Sequence, residues 1–188
     1  MNKILYAITT YDAYAYIDLS IHMHKKFGND VIVIDDGSCS KKLHDVCLKY
    51  NVPLIGISNT PAKKFDEGDV ISTVQAILYA YSHGYTHVVK QSRRWICLEN
   101  PTPSLEKLIN ESGGVTFSYY TKTWGFGFRT EFCAYEVKTW IHGLETIYNT
   151  FKNGQGFGLV EHYMHVIAER IQPQTNQYKE YKKNHPNE

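Results

Sequence analysis

Asp35 and Asp36 close the run "VIVIDDGSCS", residues 31–40, in which four β-branched apolar residues lead straight into two acids, Gly37 and Ser38. A strand with no polar alternation is one covered on both faces, so these carboxylates arrive at the edge of a sheet. There they can accept hydrogen bonds from ribose hydroxyls and from a base N–H, donors that ionised phosphates lack. The same Asp-Gly-Ser residues could equally form an Asx-type turn that caps the next helix. The second group with chemical potential is Arg93–Arg94. The chain has 4 arginines against 16 lysines, and two of the four are adjacent, directly after the apolar run "HVVKQS". Guanidinium is planar, always charged and bidentate toward phosphate oxygens.

Elements that would carry these residues follow from periodicity. Apolar runs at 3–9 (ending in Thr9 and Thr10, with Tyr11 next), 31–35, 52–58 and 86–91 read as buried strands, the last ending before Ser92. Between them, Tyr14, Ile17, Ile21 and His24 recur at helical spacing, with a stop near Gly28. Ser40 is placed to N-cap a helix bearing Leu43, Val46, Cys47 and Tyr50. Val70, Ile71, Val74, Ile77, Leu78 and Tyr81 form a stripe that Gly84 ends. Strands alternating with helices predict an α/β fold, a mostly parallel central sheet with helices on both faces. Beyond residue 100 the spacing predicts a helix over 104–111, strands in "GVTFSYY" and "RTEFCAYEV", and two helices, one through Ile141, Leu144, Tyr148 and Phe151, the other through Val160, Met164 and Ile167. Glycine-rich "TWGFGF" and "NGQGFG" read as loops. The whole reads as a single domain over 1–171, with a polar tail, 172–188, expected to be frayed.

Composition narrows the classes. A net charge of +1 carries no footprint for nucleic acid. No apolar run approaches the ~18 residues of a membrane span, and the start turns polar too early for a secretory signal. Cys39, Cys47, Cys97 and Cys133 lie far apart without a CxxC pair, which points to reduced thiols and a cytoplasmic location.

In open α/β sheets, ligands bind beyond the carboxyl ends of the strands, and Thr9, Thr10, Asp35, Asp36 and Ser92 all fall at such ends. The order β–α–β ending "VIVIDDGS", then helix, short strand, amphipathic helix and "GYTHVV", resembles the nucleotide-sugar-binding half of GT-A glycosyltransferases, the family-2-like group of nucleotide-diphospho-sugar transferases. The resemblance covers residues 3–100 well, as a nucleotide-binding half, and 101–171 in outline, as an acceptor-side half. It implies a transferase that moves a hexosyl or related sugar from a nucleotide-sugar donor, a UDP sugar, to a glycan or other hydroxyl acceptor. Thr9, Thr10 and Tyr11 would lie near the nucleotide, and Asp35 and Asp36 would contact uracil or ribose.

One departure matters. Where the family carries its metal-holding Asp-x-Asp, this chain has Ser92-Arg93-Arg94. A divalent ion needs hard oxygen ligands, so no metal cofactor is expected, and the arginines would neutralise the diphosphate leaving group in its place. Glu161, early in the last predicted helix, is the candidate general base, with Glu131 and Glu136 as competitors. Glu161, His162 and His165 lack the further ligands a zinc site needs. The alternative is a catalytically inactive module of the same fold, for binding or assembly. A nucleotidyltransferase is disfavoured, since "TTYDAYAYID" lacks the glycine-rich basic loop.

Overall fold

The structure is a computed structural model and describes residues 2–56, 65–118, 130–152, 160–171 and 176–184. Strand β1 (Ile4–Thr10), helix α1 (Tyr14–Lys26), β2 (Asp30–Asp35), α2 (Lys41–Lys49), β3 (Leu54–Gly56), α3 (Phe65–Ser82) and β4 (His87–Ser92) alternate as expected. They are followed by α4 (Thr102–Ser112), β5 (Thr116–Ser118), β6 (Phe132–Glu136), α5 (Val137–Lys152), α6 (Val160–Ile171) and α7 (Asn176–Asn184). The sheet runs β3-β2-β1-β4-β6-β5. Its first four strands are parallel, whereas β6 lies antiparallel to both β4 and β5. The four strands predicted as neighbours are neighbours. Among the described residues no helix is long and apolar enough to cross a membrane.

Because strand side chains alternate with period two, the sheet divides into two faces with different partners. Leu5, Ala7, Ile32, Ile34, Val88 and Tyr135 pack under α3, α5 and α6. Tyr6, Ile8, Val31, Val33 and Val89 pack under α1 and α2. Trp140 anchors the first face, edge-on to Tyr135 at 4.7 Å, with its indole N–H donating to the Val115 carbonyl at 3.1 Å.

Helix α3 buries a face rotated from the centre of its apolar stripe, keeping Val70, Val74 and Ile77 against the core. Val70, Ser72, Thr73, Ala76, Ile77 and Ala80 are buried, while Ile71, Leu78 and Tyr81 are exposed. Small residues let the helix lie close on the sheet. Its two hydroxyls are tolerated there because Ser72 donates to the Gly68 carbonyl (2.7 Å) and Thr73 to the Asp69 carbonyl (2.8 Å). The polar end of the chain is not featureless either. Helix α7 stands there, and Gln177 donates its amide to the Asn110 carbonyl at the C-terminus of α4. An amide group satisfies carbonyls that the helix end leaves open, without needing the apolar content that sequence reading looks for.

The α1 face also holds a neutral polar network. Gln91, fully buried, donates its amide to Trp95 O (2.8 Å) and Ser20 Oγ (2.7 Å), so its oxygen must face His24 Nε2 at 2.8 Å. His24 therefore donates from Nε2, and its Nδ1 accepts from Asn29 at 3.1 Å. Protonating Nδ1 would set a donor against a donor, and burial already lowers this histidine's pKa below its ordinary 6.5. The sign follows by linkage: stability is complete above about 6.5 and is lost as pH falls from there through the lower folded value, because the unfolded chain binds the proton more readily. Urea unfolding followed from pH 7 to pH 5 is expected to show a steeper loss in the wild type than in His24→Gln. Parallel slopes would contradict this.

Candidate functional site

The register brings the predicted residues to one edge. Thr10 pairs with Asp35 across β1 and β2, and Thr9 pairs with Ser92 across β1 and β4. Alternation then separates them. Thr10 and Asp35 follow the Tyr6–Ile8 and Val31–Val33 rows toward α1 and α2. Thr9, Asp36 and Ser92 follow the rows that face α3.

Asp35 is committed locally. Almost entirely buried, it accepts from the Ser38 hydroxyl (2.6 Å), the Ser38 N–H (3.3 Å) and the Cys39 N–H (2.9 Å). An Asx-type turn does form here, but Asp35 makes it and not Asp36, on which the sequence had placed it. Ser40, just beyond, caps α2 by accepting from the Leu43 N–H at 3.4 Å. Asp36 is the opposite case. Its backbone N–H donates to the Thr10 carbonyl at 2.8 Å, and among the described residues nothing donates to its carboxylate. Burial foremost, then the charges of Asp35 and Asp69, raise its pKa above the usual carboxylate range. Thr10 Oγ1, buried at the same edge, has no hydrogen-bond partner among the described residues.

Sequence reading missed Lys90. It lies on β4 with its side chain 1% exposed, and its ammonium pairs with the Asp69 carboxylate of α3 and donates to the Thr130 carbonyl at 3.0 Å. A lysine inside an otherwise apolar strand was the available signal. Nothing local marks Asp69, 21 residues upstream, as its partner.

Past β4 the chain turns tightly. Trp95 N–H donates to Ser92 O at 2.9 Å, Ser92 N–H to Glu131 O at 2.6 Å, and Arg93 N–H to Thr9 O at 3.0 Å. The Arg93 guanidinium donates through Nη1 to the Tyr11 carbonyl, which ties the β1–α1 corner to the end of β4. A pocket of about 690 Å³ opens there, lined by Arg93, Arg94 and the segment Asp12–Tyr16. Helix α1 begins at this pocket with Ala13 as its N-cap, no side-chain cap and no acid in its first turn. The N–H groups at the start of that turn and two guanidiniums suit an anion, against the single carboxylate of Asp12 in the lining. Tyr11, Tyr14 and Tyr16 are exposed beside it. Thr9, Asp35, Asp36 and Ser92 do not line this pocket; they stand along the adjacent strand ends.

Toward a divalent cation, Ser92, Arg93 and Arg94 offer one hydroxyl and two repelling charges, so this position does not fit a metal ion. Glu161 falls in the first turn of α6; its side chain, with those of His162 and His165, lies outside the described residues, as do the loops "TWGFGF" and "NGQGFG". Glu131 precedes β6 at the rim beside Ser92. Glu136 pairs in register with His87, at the opposite end of β4, which removes it from this edge.

No protein-family model matches the chain, and no curated protein sequence matches it. Solved structures do. The glycosyltransferase GlyE of Streptococcus pneumoniae TIGR4 superposes with a TM-score of 0.58 at 10% identity, over 89% of this chain and 43% of that one. TarS 1–349 of S. aureus gives 0.53 at 14% identity, over 74% of this chain and 48% of that one. The chain shares the α/β fold of these two proteins. It spans less than half the length of either protein, and at these identities the likeness concerns the fold alone.

Two expectations follow for stability. Asp35→Ala should cost about 1–3 kcal/mol, since three part-buried donors lose their acceptor, whereas Asp36→Asn should leave urea stability at pH 7 unchanged or higher, because its ionised form is the disfavoured one. Asp69→Ala, which strands the Lys90 charge, should cost about 3 kcal/mol, the low end for a broken buried pair because the Asp69 side chain keeps 26% of its surface in water. Adding Lys90→Met should recover most of that loss. A double variant no more stable than Asp69→Ala would show that the pair is not what holds α3.

Proposed function

We propose that this chain is a glycosyltransferase domain that binds a nucleotide-diphosphate sugar, a UDP sugar, at the carboxyl edge of its sheet and transfers a hexosyl or related sugar to a hydroxyl acceptor without a divalent metal. The observation that carries this reading is the Arg93–Arg94 pair, seated at the end of β4 and facing the uncapped start of α1 across one pocket. Fixed positive charge and free N–H groups are what a diphosphate leaving group requires. The nucleoside then lies along the strand ends, with Tyr11 beside it and Thr9, Thr10, Asp36 and Ser92 as its polar neighbours; Asp35 supports the turn that presents Asp36.

In this reading the acceptor oxygen attacks the anomeric carbon, the bond from that carbon to the diphosphate oxygen breaks, and the acceptor proton passes to a general base, for which Glu161 is the candidate. The nucleoside diphosphate leaves with its charge held by the two guanidiniums. Among the described residues no cysteine is joined in a disulfide, which suits the reducing cytosol proposed as its location. The second reading, a binding or assembly module of the same fold without catalysis, is favoured by the same Ser92-Arg93-Arg94 replacement, because it removes the family's metal ligands.

Calorimetric titration of UDP and uridine separates them. UDP binding should survive EDTA and weaken as salt rises, since charges near solvent are screened. Arg93→Gln with Arg94→Gln should weaken UDP by ~10-fold or more, the scale of one or two charge-assisted hydrogen bonds, and leave uridine nearly unchanged. Arg→Lys should restore part of the loss. Equal losses for both ligands would mean that the arginines hold the fold and not the phosphates. Binding with no sugar transfer to any hydroxyl acceptor would favour the second reading.

A further inference from the structure

Gly68 is buried near the start of α3, in helical backbone that needs no glycine; its φ is not positive. Glycine there costs about 0.5–1 kcal/mol of helix stability relative to alanine, so something else must account for it. The reason is space. A Cβ at Gly68 would stand 2.7 Å from Cγ and 3.0 Å from Oδ1 of Asp36, overlapping its carboxylate. Both backbones are tethered, so the carboxylate is the part that yields most easily. The Asp36 N–H is bound to Thr10 O at 2.8 Å. The Gly68 carbonyl accepts from Ser72, and the next residue, Asp69, is paired with buried Lys90 of β4.

We propose that Gly68 is a specificity-determining position: its missing side chain lets the Asp36 carboxylate stand against the first turns of α3, where it accepts an N–H or O–H donor from the nucleoside of the bound donor. This rests on the donor reading above. The half-buried carboxylate, which receives no hydrogen bond from the described residues and carries a raised pKa, gains most from a ligand that donates to it. The proposal separates the two halves of the ligand. Gly68 governs the nucleoside through Asp36, and the arginine pair governs the diphosphate.

The test is calorimetry with uridine, UDP and N3-methyluridine on wild type, Gly68→Ala, Asp36→Ala and the double variant, each checked by thermal melting. Gly68→Ala should weaken uridine and UDP by the same factor, about 10-fold, the scale of one hydrogen bond to a charged group. In the Asp36→Ala background it should change nothing further, the non-additivity that marks a shared interaction. If N3-methyluridine binding is insensitive to Gly68→Ala while uridine is sensitive, the donor group is the base N–H; if both respond, it is a ribose hydroxyl; either supports the proposal. Should Gly68→Ala fail to fold, a double variant that melts as Asp36→Ala does would still demonstrate the overlap, and one that stays unfolded would refute it. Wild-type binding left unchanged by Gly68→Ala, or fully additive losses, overturn this proposal alone. A wild-type protein that binds neither uridine nor UDP overturns the donor reading and this proposal together.

Discussion

A buried ammonium under a helix sets the terms for the rim of this sheet. Lys90 cannot remain charged inside the α3 face unless its charge is matched, and the match comes from Asp69 with the Thr130 carbonyl as a second acceptor. Those two contacts join three pieces of chain that are distant in sequence: β4, the first turns of α3 and the entry to β6. Gly68 immediately precedes the paired aspartate, so the ion pair also fixes the surface against which Asp36 rests. Dispersion and apolar burial hold the rest of α3, but they are non-directional. The charge pair adds a directional contact that ties one turn of the helix to one residue of β4.

The two faces of the sheet meet this edge with different chemistry. Under α1 a neutral network runs in which Gln91 joins His24, Ser20 and Trp95, and His24 joins Asn29, which reaches on to Thr102 and Tyr6. On the α3 side stand charged groups: Lys90, Asp69 and Asp36. A closed neutral network rigidifies the strand ends from below. The charged side leaves one carboxylate unspent. Between them the turn after Ser92 carries the arginines back toward α1, so positive charge gathers at one corner of the edge and negative charge along the other.

Much of this could be read in the sequence. The strands at 3–9, 31–35 and 86–91 and the helices between them are legible because local periodicity reports burial directly. The placement of Thr9, Ser92 and the two acids at one edge follows from the parallel order alone, since each closes a strand. The centre of the buried α3 face was misread because Ile71, Leu78 and Tyr81 outweigh Ala76 and Ala80 in apolarity, while close helix–sheet contact selects for small side chains. Helix α7 was missed because one of its ties to α4 is the Gln177 side-chain amide, a contact that no apolar periodicity announces.

By itself the sequence determined the α/β alternation and the gathering of two acids and two arginines at the carboxyl ends of the parallel strands. These are properties of short segments, and short segments carry their own periodicity. Tertiary structure decided which acid is spent on a turn and which is free, that Lys90 is neutralised by Asp69, and that Gly68 makes room for Asp36. A one-residue step along a strand reverses the face a side chain meets. Its partners on that face come from segments tens of residues away, whose approach no local pattern encodes.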